Sequence, residues 1–205
     1  MTEQKFEVQK AALIAGARPY FVKYSYQGTT TRMLNEALDI APGTLYYYFH
    51  QGKRGLLDAI IASGEQWSEP PAWQFTQPQD LEGLEHQLVT NLAQVWADFT
   101  VAEHYETIVL AVRERAILAD EQVVWLSQRF EQMTVSLATA LTGLQAPCTL
   151  TKDEAVAFAE TVIALYQRVL LDQVLIASKP LPIVDFYQHI QPGIHLLVSG
   201  LEAAV

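Results

Sequence analysis

The chain has little cysteine, no long apolar run and few positive charges. Its 205 residues include one cysteine, Cys148, which excludes an internal disulfide and a cysteine-based metal cluster. The N-terminus MTEQKFEVQK lacks the apolar core of a signal peptide. No segment approaches the ~20 apolar residues that cross a bilayer. We therefore expect a cytoplasmic protein without a membrane partner; a redox role for Cys148 stays open beside a bystander role.

The shortage of positive charge is uneven along the chain. The formal net charge is −10, which argues against a nucleic-acid partner for the chain as a whole. Residues 1–67, however, hold seven Lys/Arg against six Asp/Glu, whereas the remaining 138 residues hold six against seventeen. Only the N-terminal third can therefore approach phosphate without strong repulsion. The alternative is an acidic protein with random local variation in charge.

Glycine and proline are sparse inside long stretches where apolar residues recur every three or four positions. This spacing predicts an all-α fold, and the 50% hydrophobic content supplies a sizeable core. The proline-rich segment 68–79 is the clearest linker. We expect a helix-turn-helix domain over residues 1–50, a connecting helix over 51–67, and a helical ligand-binding and dimerisation domain over 68–205.

Capping residues place the helix ends. The first helix is expected over Lys5–Tyr24 with a kink at Pro19, and the second begins after Thr30 as N-cap. Pro42 suits the first position of the third helix, where its missing N–H costs nothing. Later helix starts are expected at two capping boxes and one acidic cap, which are Thr100–Glu103, Thr151–Glu154 and Asp120.

The segment from Gly28 to Phe49 contains two short helical patterns joined by a tight break, and the second ends in three consecutive tyrosines. This layout predicts a helix-turn-helix whose second helix enters a DNA major groove. An apolar spine of Leu34, Leu45 and Phe49 would fix the angle between the helices. Tyrosines facing outward can lie on sugars and bond phosphate. The alternatives are a helical pair that merely packs, or a degenerate reader that no longer binds DNA.

Three motifs in this region, G-T-T-x-x-x-L, P-G-T-L-Y-Y-Y-F and K-R-x-L-L, resemble the N-terminal domain of TetR (tetracycline repressor-like, AcrR) family transcriptional regulators. The resemblance covers about residues 10–60. It implies a homodimer, with a three-helix DNA-binding domain, a connecting fourth helix and a larger ligand domain in each subunit. It also implies that the last two long helices form the dimer interface.

The resemblance implies DNA roles for ten positions. Thr30, Thr31 and Lys53 would contact phosphate, and Arg32 would read a base, as arginine does at guanine. The remaining candidates lie in or just before the third helix, where they would face bases or backbone: Pro42, Gly43, Thr44, Tyr46, Tyr47 and Tyr48.

The sequence departs from the family pattern at three places. Ser25 and Asp39 stand where the family usually has glycine, although Asp tolerates a left-handed conformation. One extra residue separates Phe49 from Lys53, which shifts Lys53 relative to the family position.

The C-terminal two thirds carries no signature of catalysis, metal binding or a cofactor, so we expect no enzyme, no metal site and no cofactor. Its aromatic residues could line a pocket for an apolar or aromatic effector, or could be ordinary core. The acidic balance favours a neutral or cationic effector over an anionic one. The pocket candidates are Trp96, Phe99, Tyr105, Trp125, Phe130, Met133, Phe158 and Tyr166.

The last two long helices are apolar on more than one face, so each must be buried on two sides. One side can pack on the domain and the other on a second subunit, which supports dimerisation independently of the resemblance. The expected interface residues are Val162, Leu165, Val169, Leu175, Ile190, Ile194, Leu197 and Val198.

These features predict a ligand-responsive DNA-binding regulator, a repressor released from a palindromic operator by a small-molecule effector. The alternative is an all-helical ligand-binding protein or enzyme with a non-functional helix-turn-helix.

Overall fold

A computed structural model describes residues 3–67, 72–145, 147, 149–177 and 179–202. Within these residues the regular structure is helical, as predicted. Cys148 lies outside them. The helices are α1 (Glu3–Gly28), α2 (Thr31–Ala37), α3 (Thr44–Tyr48), α4 (Lys53–Ala62), α5 (Leu81–Phe99), α6 (Ala102–Arg113), α7 (Val124–Thr142), α8 (Lys152–Leu175) and α9 (Ile183–Glu202). Short 3-10 helices span Ser63–Gln66, Arg115–Ile117 and Asp120–Gln122. Among the described helices, none is both long and apolar enough to cross a membrane.

The chain folds into two compact units. The first unit comprises Met1–Ser68 and Ala102–Leu126, and the second comprises Glu69–Val101 and Ser127–Val205. The first unit is therefore discontinuous in sequence, because α5 is inserted between its two segments. It contains α1 to α4, α6 and the three 3-10 helices.

Apolar side chains from α1 to α4 build the core of the first unit. Phe21, Leu34 and Leu45 are fully buried, and they bring α1, α2 and α3 together. α4 closes the core with four fully buried residues spaced as one helical face, namely Leu56, Leu57, Ile60 and Ile61. α6 is joined to α1 by a buried cation, because Arg18 Nη2 lies 2.8 Å from Glu103 Oε1.

The break in α1 lies at Ser25 and not at Pro19, where the sequence predicted a kink. Pro19 sits inside the helix, whereas Ser25 has φ 60° and ψ 170°, outside helical geometry. Serine adopts a positive φ at a cost that glycine avoids. This is the position where the TetR family usually has glycine, so a positive φ explains that preference.

Two of the predicted helix caps are confirmed. The Thr30 side chain accepts the Met33 N–H, and Thr151 and Glu154 form a reciprocal capping box at the start of α8. A capping box at Thr100 is wrong, because Thr100 ends α5 and its hydroxyl donates to the Ala97 carbonyl. Asp120 opens a 3-10 helix, and α7 begins four residues later at Val124.

Aromatic and aliphatic packing among α5, α8 and α9 forms the core of the second unit. The Trp96 ring stacks on Phe186 with centroids 4.6 Å apart and meets Tyr166 edge to face at 6.1 Å. The Trp96 indole N–H donates to the Leu181 carbonyl at 3.0 Å, so the one polar atom of this ring is satisfied. α8 approaches α9 closely at Gly193, where an added Cβ would lie 2.9 Å from Leu165 Cδ1.

Candidate nucleic-acid interface

The pair α2 and α3 has the geometry of a helix-turn-helix. Leu34 and Leu45 have no exposed surface, so each helix is anchored by a buried leucine. The chain reverses between them through two left-handed residues, Asp39 with φ 50° and Gly43 with φ 95°. Asp39 thus adopts the conformation for which glycine is usual in the family. The Ile40 N–H donates to the Asn35 carbonyl at 3.0 Å, which ties the turn to α2.

α3 begins at Thr44, two residues later than a start at Pro42 would place it. Gly43 is its N-cap, and a left-handed residue cannot be part of a right-handed helix. Pro42 and Gly43 are exposed and lie before the helix, while Thr44 is half-buried in its first turn.

The tyrosines of α3 face outward but are held in place by neighbouring side chains. Tyr46 is 55% exposed and Tyr47 is 60% exposed, and Tyr48 is half-buried. The Phe6 ring from the start of α1 lies 4.8 Å from the Tyr48 ring and 5.8 Å from the Tyr47 ring. The surface formed by the α3 tyrosines therefore includes a residue of α1. The sequence did not predict this, because Phe6 is about forty residues away from α3 along the chain and belongs to no motif.

Tyr46 is positioned by the absence of a side chain at Gly52. A Cβ added there would lie 2.6 Å from Tyr46 Cε1, and Gly52 has φ 58°, so both space and backbone conformation favour glycine. Gly52 lies in the segment between Phe49 and Lys53, which is one residue longer than the family spacing. Gly52 therefore has a structural role beside α3.

Candidate residues at the start of α2 are placed differently from one another. Thr30 caps the helix and accepts the Met33 N–H at 3.1 Å, which leaves its hydroxyl hydrogen able to donate. Thr31 is half-buried. The Arg32 side chain is 87% exposed and pairs with Glu36 one turn later at 2.8 Å. An exposed pair of this kind contributes little to stability, so Arg32 is available to a stronger partner.

The Lys53 side chain points toward carbonyl groups of the protein's own backbone. Its Nζ donates to the Tyr26 carbonyl at 2.7 Å and to the Thr29 carbonyl at 2.8 Å. The ammonium also lies 4.1 Å from the centroid of the Tyr26 ring. Burial lowers the pKa of Lys53, and the negative charge of Glu114 opposes that shift. This inward position differs from the phosphate contact expected from sequence.

The aromatic candidates for a ligand pocket are divided between the two units. Trp96, Phe99 and Tyr166 pack on one another and on Phe186 in the core of the second unit. Burial raises the pKa of Tyr166, as expected for a phenol group that is shielded from solvent. Three further candidates belong to the same unit, where Met133 and Phe158 are buried and Phe130 is half-buried.

Two other pocket candidates belong to the first unit. The Trp125 ring packs edge to face on Trp67 at 5.3 Å, and its indole N–H donates to the Gln122 carbonyl. It also covers Gly64, where a Cβ would lie 2.5 Å from Trp125 Cζ2. Tyr105 is buried in α6, and burial raises its pKa.

The second unit contains an open cleft between α5 and α9, away from the predicted aromatic set. Its volume is about 490 Å³, and Glu85 meets His195 Nδ1 across it at 2.8 Å. The lining residues recur at helical spacing on both helices: Leu81, Glu82, Glu85, His86, Val89, Tyr187, Gln191, His195, Val198 and Ser199. Each helix shows this pattern in sequence, but their pairing is set by the tertiary fold. Of the described residues, no three His, Cys, Asp or Glu side chains could hold a metal ion together.

Most of the residues expected at a dimer interface belong to the subunit's own core. Val162, Val169, Ile190, Ile194 and Val198 are buried within the second unit. Leu165 and Leu197 are half-buried, and Leu175 is exposed. Apolar periodicity marked the buried faces of α8 and α9, but two apolar faces on one helix look alike in sequence, so it did not separate the face that packs within the unit from a face for a second subunit.

Comparison with known proteins agrees with this geometry. The sequence model of the family described as bacterial regulatory proteins, tetR family, matches residues 13–60, which run from α1 into α4. No protein of curated function matches the chain.

Solved structures share the fold over nearly the whole chain. A TetR-family transcriptional regulator from Mesorhizobium loti has a TM-score of 0.63 at 14% identity, covering 97% of this chain and 98% of its own. GusR of Salmonella enterica has a TM-score of 0.56 at 20% identity, covering 93% and 95%. AibR, solved with isovaleryl coenzyme A and operator DNA, has a TM-score of 0.56 at 16% identity, covering 89% and 95%. The N-terminal domain of this chain therefore belongs to the tetR family of bacterial regulatory proteins, and the chain as a whole has the fold of regulators in that family.

Proposed function

We propose that this protein is a repressor that binds a near-palindromic DNA operator as a homodimer and is released by a small-molecule effector. The observation that carries the proposal is the row of tyrosines on the outer side of α3. They are held by a helix-turn-helix whose two anchoring leucines are buried. Tyr46 and Tyr47 are each more than half exposed, and two neighbouring exposed aromatic side chains indicate a surface that binds a partner. Their rings and hydroxyls suit sugar, thymine methyl and phosphate.

The proposed DNA contacts follow from exposure. Of the residues expected to face bases, Arg32 and Tyr46 are exposed, whereas Thr44 is half-buried. Tyr47 and Tyr48 would face the sugar-phosphate backbone of the DNA. Thr30 and Thr31 lie at the start of α2, where backbone N–H groups favour a phosphate. Thr44 occupies the first turn of α3, with Pro42 and Gly43 just before it, so the backbone can approach DNA closely there.

The proposed dimer uses the outward faces of α8 and α9. Six of the exposed residues on α8 recur at alternating steps of four and three, which is the spacing of a helix that packs on another helix. They are Ala157, Thr161, Ala164, Arg168, Leu171 and Leu175. On α9 the face that carries Leu196 is exposed, and Leu196 itself is 74% exposed. A two-fold dimer places two reader helices on successive turns of one DNA face.

The effector side rests on the second unit and on analogy. AibR binds a coenzyme A thioester together with operator DNA, so the fold supports both ligands at once in that protein. In this chain the second unit holds twelve Asp/Glu against four Lys/Arg, which favours a neutral or cationic effector. Release requires that the effector bind the DNA-incompetent state more tightly.

The competing function is a ligand-binding protein or enzyme whose helix-turn-helix is unused. The discriminating experiment is a footprint with the purified protein over the region upstream of its own gene. We expect a protected site with two-fold sequence symmetry at moderate salt. Protection that is absent, or uniform along the DNA, contradicts the repressor proposal and favours the alternative.

A further inference from the structure

The cleft between α5 and α9 has an unusual charge arrangement. Its lining includes two carboxylates, Glu82 and Glu85, and two histidines, but no lysine or arginine. The Glu85 side chain is only 16% exposed, and its partner among the described residues is His195, which is 63% exposed. A histidine carries a full positive charge only when it is protonated. Glu85 is thus a mostly buried carboxyl group in a cleft whose lining has no lysine or arginine, so a cationic ligand would supply a positive charge that the lining lacks.

The walls of the cleft suit an organic ligand. Leu81, Val89 and Val198 provide apolar surface, and Tyr187 provides an aromatic ring that can attract a cation. The volume of about 490 Å³ is within the ordinary range for small-molecule sites. Gln191 and Ser199 add neutral polar groups at the same opening.

We propose that this cleft binds a small protonated amine, whose N–H groups donate to Glu85 and whose carbon chain lies against the apolar walls. That the amine is the effector rests on the proposed function; the binding itself does not. The cleft lies between α5 and α9, and Leu196 of the proposed dimer face is not among the residues that line it.

The test is a titration followed by NMR chemical shifts, without DNA, so that it does not depend on repressor activity. The probes are 1,4-diaminobutane and n-butylammonium, with butyrate as the anionic comparison. We expect saturable shifts at α5 and α9 residues with either amine and none with butyrate. Glu85→Gln should weaken amine binding about tenfold or more, because a charged hydrogen bond is lost. The matched control Glu131→Gln, an exposed acid on α7 of the same unit, should bind as the native protein does.

Two results would overturn the amine site. One is the absence of saturable shifts with both amines, and the other is equal affinity in Glu85→Gln and the native protein. If Glu85→Gln does not fold, Ser199→Trp serves instead. Ser199 is exposed at the opening, so the indole fills the cleft without disturbing the core, and amine binding should be lost.

An independent observation concerns the junction between α1 and α2. The Tyr26 N–H donates to Glu114 Oε1 at 2.8 Å, across 88 positions of sequence. Its carbonyl accepts from Lys53 Nζ at 2.7 Å, and the same ammonium reaches the Thr29 carbonyl. Both polar backbone groups of Tyr26 are therefore held by charged side chains that are distant in sequence, Lys53 at the start of α4 and Glu114 just after α6. Thr29 is fully buried, and its hydroxyl donates to the Ser25 carbonyl at 2.7 Å.

This geometry points to Glu114 and Lys53 as a positioning pair for the DNA reader. Tyr26 and Thr29, the two residues held in this way, come shortly before Thr30, the N-cap of α2. They therefore set where α2 starts relative to α1. Ser25 strains this junction with its φ of 60°, and the two charged hydrogen-bond sets oppose its relaxation. Lys53 Nζ donates to two carbonyl groups of the protein backbone. Lys53 therefore supports DNA binding by holding this part of the protein in place, and not by contacting a DNA phosphate.

Hydrogen exchange on the free protein tests the pair without any DNA. We expect Glu114→Ala to speed exchange of the Tyr26 amide about tenfold or more, because its acceptor is removed. Glu114→Gln retains an acceptor oxygen and should restore most of the protection. Glu121→Ala, an exposed acid in the same segment, is the matched control and should change nothing. Unchanged Tyr26 exchange in Glu114→Ala overturns the clamp.

Salt dependence separates positioning from phosphate contact at Lys53. With a 30-base-pair duplex of arbitrary sequence as probe, we expect Lys53→Gln to lower affinity at every salt concentration while the slope of log K against log salt stays unchanged. Loss of one phosphate contact would reduce that slope by about 0.9. A reduced slope, or native affinity in Lys53→Gln, contradicts the positioning role.

Discussion

Aromatic residues serve opposite purposes on α3 of the first unit and in the core of the second. Tyr46 and Tyr47 on α3 project outward, whereas Trp96, Tyr166 and Phe186 on α5, α8 and α9 pack inside. Tyr46 is more than half exposed, and Trp96 is fully buried with its indole N–H satisfied. The difference shows that an aromatic residue on a helix indicates a binding surface only when its neighbours leave it in contact with water. The reader tyrosines are nevertheless positioned, by Phe6 and by the space above Gly52.

The largest expected effect comes from breaking the buried side of this comparison. Trp96→Ala should lower the free energy of unfolding by about 3–5 kcal/mol, because it leaves a cavity among Phe99, Tyr166 and Phe186. Urea denaturation at constant m-value measures this loss. Tyr46→Ala in the same assay should change stability by less than about 0.5 kcal/mol, since surface positions contribute little. Similar losses in both variants would remove the distinction between the two aromatic sets.

Burying a charge in the proposed dimer face should have the next largest effect. Leu171→Glu places a carboxylate in the middle of the α8 stripe, so we expect dissociation to monomers in sedimentation velocity at micromolar concentration. Val135→Glu is the matched control, because Val135 is an exposed valine on α7 of the same unit, and it should leave the assembly unchanged. An unaltered mass in Leu171→Glu would exclude this face as the interface.

On the exposed side of the comparison, Tyr46→Ala should weaken operator binding about tenfold or more while leaving the fold intact. The reason is the loss of a ring and hydroxyl at the DNA surface. Fluorescence anisotropy with the footprinted site measures the change. Tyr24→Ala removes another exposed tyrosine, located on α1, and should bind normally. Equal weakening by both substitutions would show that α3 has no special role.

Arg32→Ala should have a narrower effect than Tyr46→Ala. We expect reduced discrimination at one base pair in each half-site, by about 1–3 kcal/mol, with little change at the others. Binding to a panel of single-base operator variants measures this difference. Uniform weakening across the panel would instead assign Arg32 to phosphate.

The smallest expected effect is at the support of Tyr46. Gly52→Ala should destabilise the protein by about 1 kcal/mol, since alanine is strained at a positive φ. It should also weaken operator binding, because the new methyl group displaces the Tyr46 ring. Gly55→Ala is a milder comparison inside α4, where the added Cβ would lie 3.3 Å from Phe49 Cβ. Native affinity in Gly52→Ala would show that Tyr46 does not depend on this space.

The sequence predicted those features that local chemistry determines. The all-α fold, the cap at Thr30, the Thr151–Glu154 capping box and the outward tyrosines of α3 each depend on residues close in the chain. The inward position of Lys53 depends on Tyr26 and Thr29, which are 27 and 24 residues away and carry no pairing signal. Likewise, hydrophobic periodicity marked Ile194 as buried but could not decide which partner covers it.

The discontinuity of the first unit has a consequence for how the protein is made. During synthesis, residues 1–67 emerge before α6, yet Arg18 and Tyr26 find their charged partners only later, at Glu103 in α6 and at Glu114 just after it. Buried polar groups without partners destabilise a fold. The first unit therefore reaches its final form only after the ribosome has added residues 102–126. A fragment ending at residue 67 should be less stable than the same residues in the whole chain.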